Sequence, residues 1–146
     1  MSQFKHLLVA IDYSKPSLKA LDTGLDLAVR LGARLTVVHT IMKVAEGVSM
    51  EGGAGYDVNL HQKQLQEARE TIEQLLLDRN SHGVQTDIVI ESGRAQDQIH
   101  SIAGRVGADM VILGTHGRKG MNRLILGSVA EEVLRDSHLP VLCVRS

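Results

Sequence analysis

The sequence predicts an α/β domain built on an open, five-stranded parallel sheet with helices on both faces. Three observations lead there. Short runs rich in Val, Ile and Leu alternate with helical patterns along the whole chain. The runs are apolar at consecutive positions, as strands covered on both faces are. Between successive runs lies a helical pattern, the connection a parallel pair needs, and such crossovers are right-handed.

Each element can be justified in turn. Strand candidates fall at residues 7–11, 35–39, 86–90, 110–113 and 140–144. The first helix is expected to present Leu18, Leu21, Leu25 and Ala28, and the second Leu65, Ala68, Ile72 and Leu75. The third presents Ile99, Ile102, Ala103 and Val106, and the last Val129, Ala130, Val133 and Leu134. All recur at three- and four-residue spacings, which places them on one helical face. Ser14 with Pro16 suits a helix start, whereas Gly32, Gly83 and Gly107 each come just after a helical pattern, where a left-handed residue is wanted. Residues 41–56, "IMKVAEGVSMEGGAGY", have glycines and no period; they are expected to form a variable loop within one domain spanning 1–146.

Composition narrows the function. Sixteen Lys and Arg against seventeen Asp and Glu leave a formal charge of -1, with three aromatic residues, so neither a phosphate-binding field nor base-stacking side chains recommend nucleic acid as a partner. The only cysteine, Cys143, lies in the apolar run "VLCV" and reads as a small buried hydrophobe in a reducing, cytoplasmic setting. The N-terminal apolar run is too short for a signal peptide or a membrane span.

The chemistry concentrates after the fourth strand, in "GTHGRKGMNRLILGS". It contains neither G-x-x-x-x-G-K-[ST] nor G-x-G-x-x-G, so a P-loop and a dinucleotide fingerprint are both excluded. What stands there is Gly114, two residues, Gly117, nine residues, Gly127 and Ser128, with Gly120 between. Backbone amides converge on an anion where no Cβ blocks them, and the start of the last helix adds free donors and a positive dipole end. A phosphate chain is the natural occupant. Arg118, Lys119 and Arg123 can add charge there or simply face solvent. Ser128 has two readings, because Ser128 with Glu131 also spells a capping box. The loop as a whole exceeds what a plain turn requires.

Asp12 ends the first strand, where ligands of open α/β sheets bind. It can contact a sugar, a base or a phosphate-bound metal, or it can cap the next helix. His116 sits between loop glycines, either as a general acid or as an ordinary backbone-bonded histidine. The remaining histidines, His39 among them, lack metal-ligand spacing.

On these residues the chain resembles the ATP-binding subclass of the universal stress protein family. G-x2-G-x9-G-[ST] is matched by Gly114, Gly117, Gly127 and Ser128; Asp12 followed by "YSKPSLKAL", and the closing "SHLPVLCVR", match as well. The resemblance implies strand order 3-2-1-4-5 in an adenine nucleotide alpha hydrolase-like fold. It implies that Ala10, Asp12 and Thr40 line an adenosine pocket, although Thr40 stands where an aliphatic residue is frequent. Leu113 and Gly114 would border the ribose. Thr115, His116 and Gly117, then Gly127 and Ser128, would hold the phosphates of ATP with Mg2+. Arg118, Lys119 and Gly120 complete the loop, and Val129 and Ala130 stand behind it. The resemblance also implies a homodimer or higher assembly through the last strand, residues Val141, Leu142, Cys143, Val144 and Arg145.

Two functions fit. One is a regulatory module whose assembly or protein partner depends on ATP. The other is a slow ATPase or nucleotidyl transferase, for which the glycine loop offers no carboxylate or glutamine to orient a nucleophile.

Overall fold

In the computed structural model, which describes residues 3–42, 58–79, 83–116 and 126–146, strands and helices alternate from end to end. The elements are β1 (His6–Ala10), α1 (Lys15–Leu31), β2 (Arg34–Ile41), α2 (Val58–Asp78), β3 (Thr86–Ser92), α3 (Ala95–Val106), β4 (Met110–Gly114), α4 (Ser128–Asp136) and β5 (Val141–Val144). The strands form one parallel sheet in the order β3-β2-β1-β4-β5. The expected order is therefore found. Because the chain winds outward in both directions from β1, a crevice opens at the carboxyl ends of β1 and β4.

Two apolar layers sandwich the sheet. Leu7, Val9, Leu35, Val37 and Ile112 face α1 and α2, while Leu8, Val38, Val111 and Leu113 face α3 and α4. This is why β1 reads as an unbroken apolar run: successive side chains point to opposite faces, and both faces are covered. α1 buries Ala20, Leu21, Leu25 and Ala28, α2 buries Ala68, Ile72 and Leu76, and α3 buries Ile99, Ile102 and Ala103. α4 buries Ala130 and Val133 but leaves Leu134 43% exposed, against expectation. A helix this short has one narrow buried stripe, and Leu134 falls beside it.

Punctuation is mostly as read. Ser14 caps α1 by accepting from the Ser17 amide at 3.4 Å, and Gly32 ends the helix in the left-handed region with φ 63°. Gly107 does the same for α3 with φ 71°. Gly83 also has a positive φ, 88°, but α2 has already ended at Asp78, so it serves the approach to β3. The expected loop 41–56 begins one residue early: Ile41 is the last residue of β2, paired with Ser92. Residues 43–57 lie outside the described residues.

At the opposite pole, one clasp ties β1 to β4. The Asp109 carboxylate accepts from the amides of Lys5 and His6 at 2.7 and 2.8 Å. The His6 ring is buried and shares a 2.7 Å hydrogen bond between Nε2 and Thr36 Oγ1. Burial, reinforced by the nearby Arg34 charge, lowers the His6 pKa below its ordinary value of 6.5. The unfolded chain therefore binds more protons than the folded one below that value. Stability is complete above about pH 6.5 and declines as pH falls toward the depressed folded pKa. Urea unfolding of wild type and His6→Gln between about pH 7 and pH 5 checks this; the wild type should lose stability more steeply, and parallel curves would refute it.

Candidate functional site

β1 delivers the chain to the crevice, and the turn into α1 is held at every residue. The Ile11 amide still bonds to the Val38 carbonyl at 2.9 Å, as if the strand continued. Asp12 Oδ1 accepts from the Ser14 amide at 3.0 Å and from the Ser14 hydroxyl. The Asp12 amide donates to Ser17 Oγ at 3.2 Å, and that hydroxyl donates to the Ser14 carbonyl at 3.0 Å. Asp12 thus braces the capping residue, while Ser14 performs the capping. Its position at the mouth of the central strand remains the one the sequence indicates.

From β2 come His39 and Thr40. Thr40 is half-buried at the carboxyl end, beside Glu91 of β3. His39 Nδ1 lies 2.8 Å from the Ile11 carbonyl, so that nitrogen carries the proton and donates. Its ring packs on that of Tyr13, centroids 4.5 Å apart and tilted by 38°. Tyr13 has φ 67°, the one positive value among the described non-glycine residues. This pair is the part of the site that sequence reading missed. A histidine ending an otherwise apolar run was its only signal.

The third wall is β4 with the residues just after it. Ala10 and Leu113 lie on the α3–α4 side, with Leu113 buried. Gly114 closes β4 against the first turn of α1: a Cβ there would stand 2.6 Å from the Pro16 carbonyl carbon and 2.8 Å from the Ser17 nitrogen. Its glycine is required by packing. Thr115 is buried; its amide donates to the Val144 carbonyl at 3.1 Å, and its carbonyl accepts from the Gly127 amide at 2.6 Å. That last bond joins the two ends of the glycine-rich connection at its base. His116 Nδ1 and Thr115 Oγ1 are 3.0 Å apart, whereas His116 Nε2 is buried without a hydrogen-bond partner among the described residues.

α4 starts one residue earlier than the capping box implies. Gly127 is the N-cap, with φ -61° and ψ 153°, and among the described residues no side chain caps the helix. Ser128 is the first helical residue and is exposed, so the Ser128–Glu131 box is not formed. A box places its serine at the cap; here the serine is one position inside, and the residue three after the cap is Ala130. The first bond of the helix runs from the Glu131 amide to the Gly127 carbonyl at 2.9 Å, which leaves the amides of Ser128, Val129 and Ala130 outside the helical ladder. Val129 is partly buried and Ala130 fully, so both pack behind that terminus. Gly117, Arg118, Lys119, Gly120 and Arg123 lie outside the described residues.

The crevice therefore brings together Ala10, Asp12, Thr40, Gly114, Thr115, His116, Gly127 and Ser128 at one end of the sheet, from three strand termini and one helix start. The model of the Universal stress protein family matches residues 3–145. The chain belongs to the universal stress protein family.

Its likeness to other universal stress proteins extends over full lengths. It is 31% identical to universal stress protein A homolog 1 of Coxiella burnetii, covering 97% of this chain and 96% of that one. Protein MJ0577 of Methanocaldococcus jannaschii superposes with a TM-score of 0.83 at 26% identity, over 99% and 98% of the two chains. A universal stress protein from Archaeoglobus fulgidus, solved in complex with dAMP, shares the fold with a TM-score of 0.65 at 22% identity, over 99% of each chain. Among the described residues of this universal stress protein, no helix is long and apolar enough to cross a membrane. Nor, among them, does any group of three or more His, Cys, Asp or Glu side chains converge as a metal site. Were Mg2+ carried in on nucleotide phosphates, its usual manner of binding, Asp12, just beyond the carboxyl end of β1, would be the carboxylate to meet it.

Proposed function

We propose that this universal stress protein binds ATP with Mg2+ at the carboxyl ends of β1, β2 and β4, and acts as a regulatory module whose assembly or protein partner depends on that nucleotide. The observation that carries the reading is the uncapped start of α4. Three amides stand outside the helical ladder, the cap is a glycine without a side chain, and the Gly127–Thr115 bond ties that terminus to the residue just after β4. A phosphate chain supplies the acceptors such a terminus wants. The nucleoside end then extends toward Asp12, Ala10 and Thr40. The dAMP complex of the Archaeoglobus fulgidus relative supports an adenine nucleotide as the class.

Ser128→Pro tests the phosphate end with little disturbance to the helix. Proline is favoured at the first helical position, and Gly127 already has the extended ψ of 153° that a residue before proline adopts. The change removes one amide donor and one hydroxyl. A hydrogen bond to a charged group contributes about 1.5–3 kcal/mol, so calorimetry should show ATP binding weakened by roughly 10- to 100-fold with the melting temperature preserved. Unchanged affinity would move the phosphates elsewhere.

The same reading includes a homodimer through residues 141–145, with ATP favouring that dimer or a higher assembly. β5 is an edge strand, with no strand paired on its outer side among the described residues. It comes directly after α4, so nucleotide contact at the start of α4 and pairing along β5 involve adjacent elements. The free thiol of Cys143 suits a reducing, cytoplasmic setting, and burial raises its pKa above the ordinary 9.0.

A further inference from the structure

Tyr13 occupies a backbone conformation that a tyrosine has no intrinsic reason to adopt. In the left-handed region the Cβ crowds the following carbonyl, and an aromatic side chain cannot relieve this with a local hydrogen bond as Asn or Asp does. At φ 67° Tyr13 must be held there by its surroundings. The holder is identifiable. His39 grips the residue on either side of Asp12: its Nδ1–H donates to the Ile11 carbonyl at 2.8 Å, and its ring packs on the Tyr13 ring at 4.5 Å. Asp12 is left between two fixed neighbours, with its own Oδ1 bonded to Ser14 on the far side.

We propose that His39 is a positioning residue for the nucleotide site: by holding Ile11 and Tyr13 it keeps the β1–α1 turn in the left-handed geometry that presents Asp12 to the crevice. His39 touches no ligand in this scheme. It raises affinity by keeping the binding-competent turn populated, and the inference rests on the nucleotide reading above. Removing the ring releases Tyr13, whose own preference then pulls the turn away. If the competent turn falls to about one molecule in ten, ATP affinity falls about tenfold.

Positioning and mere packing differ in one outcome. Glycine takes positive φ without cost. Tyr13→Gly should therefore rescue ATP affinity in a His39→Ala background, although it removes still more contact area and lowers stability further. Two readouts are needed on wild type, His39→Ala and the double variant: ATP affinity by calorimetry, and the φ of residue 13 in ligand-free protein from NMR scalar couplings. The expected result is a tenfold loss in His39→Ala with Tyr13 leaving the left-handed region, and recovery to within about threefold of wild type in the double variant. His39→Gln, which keeps a donor but lacks the ring, replaces His39→Ala if that variant does not fold. An unchanged Tyr13 φ in the single variant, or a double variant binding more weakly than the single, would overturn the proposal. A wild type that binds no ATP while φ shifts as stated would instead overturn the nucleotide reading and leave His39 as the holder of the turn.

Discussion

Gly114→Ala is expected to destabilise the protein by about 3 kcal/mol, lowering the melting temperature by roughly 10 °C. The new Cβ would stand 2.6 Å from the Pro16 carbonyl carbon, 2.7 Å from Pro16 Cβ and 2.8 Å from the Ser17 nitrogen. Two of those three atoms are backbone, and the third belongs to a rigid ring, so no rotamer change relieves the clash. The first turn of α1 must move away from β4. That turn carries the Ser14 cap and the brace from Asp12, so the strain reaches the crevice as well. Gly24→Ala is the internal control. Its Cβ would lie 3.4 Å from Leu35 Cδ1 and 3.5 Å from Ile112 Cδ1, which is ordinary contact, and alanine is the better helix former. Gly24→Ala should hold or raise stability by up to about 1 kcal/mol. Urea unfolding of the two variants decides the matter; equal midpoints would mean that the close approach at Gly114 is not structural.

Cys143→Pro is expected to release monomers from the proposed dimer while leaving the monomer folded. The alternation along β5 selects this residue. The carbonyls of Pro140 and Val144 accept from the amides of Val111 and Thr115, so the main-chain groups of Pro140, Leu142 and Val144 point inward to β4. Those of Val141 and Cys143 point to the open side. Proline at position 143 therefore removes an outward donor without breaking the β4–β5 ladder, which proline at position 142 would break. An exposed edge without internal charge invites pairing, and β5 has none between Val141 and Val144. Light scattering should show the dimer dissociation constant rising by at least about tenfold, the effect of roughly 1.4 kcal/mol or more of lost pairing. A wild type that remains monomeric at high micromolar concentration with and without ATP would sink the dimer, and a dimer indifferent to Cys143→Pro would place its interface on another surface.

Patterning by itself determined the class of fold, the parallel sheet, the number of strands and the faces of α1 and α3. Each of these comes from burial, and burial repeats along the chain with a period that can be counted. The place of the candidate site was legible from residue types: Asp12 just after the first strand and a glycine-rich connection ending in Gly127–Ser128 point to a crevice at the carboxyl ends. What the tertiary structure alone decided concerns particular contacts between segments distant in the chain. In one dimension Gly114 read only as part of the nucleotide loop, and Ser128 admitted two readings. The approach of α1 gives the first a packing role, and the start of α4 one residue early frees the second from capping. His39 carried no signal beyond ending an apolar run, because its partners, Ile11 and Tyr13, meet it only when β1 and β2 lie side by side. Periodicity reports which face a residue shares with its neighbours along the chain, whereas a hydrogen bond or a clash depends on tenths of an ångström between elements whose separation no local pattern encodes.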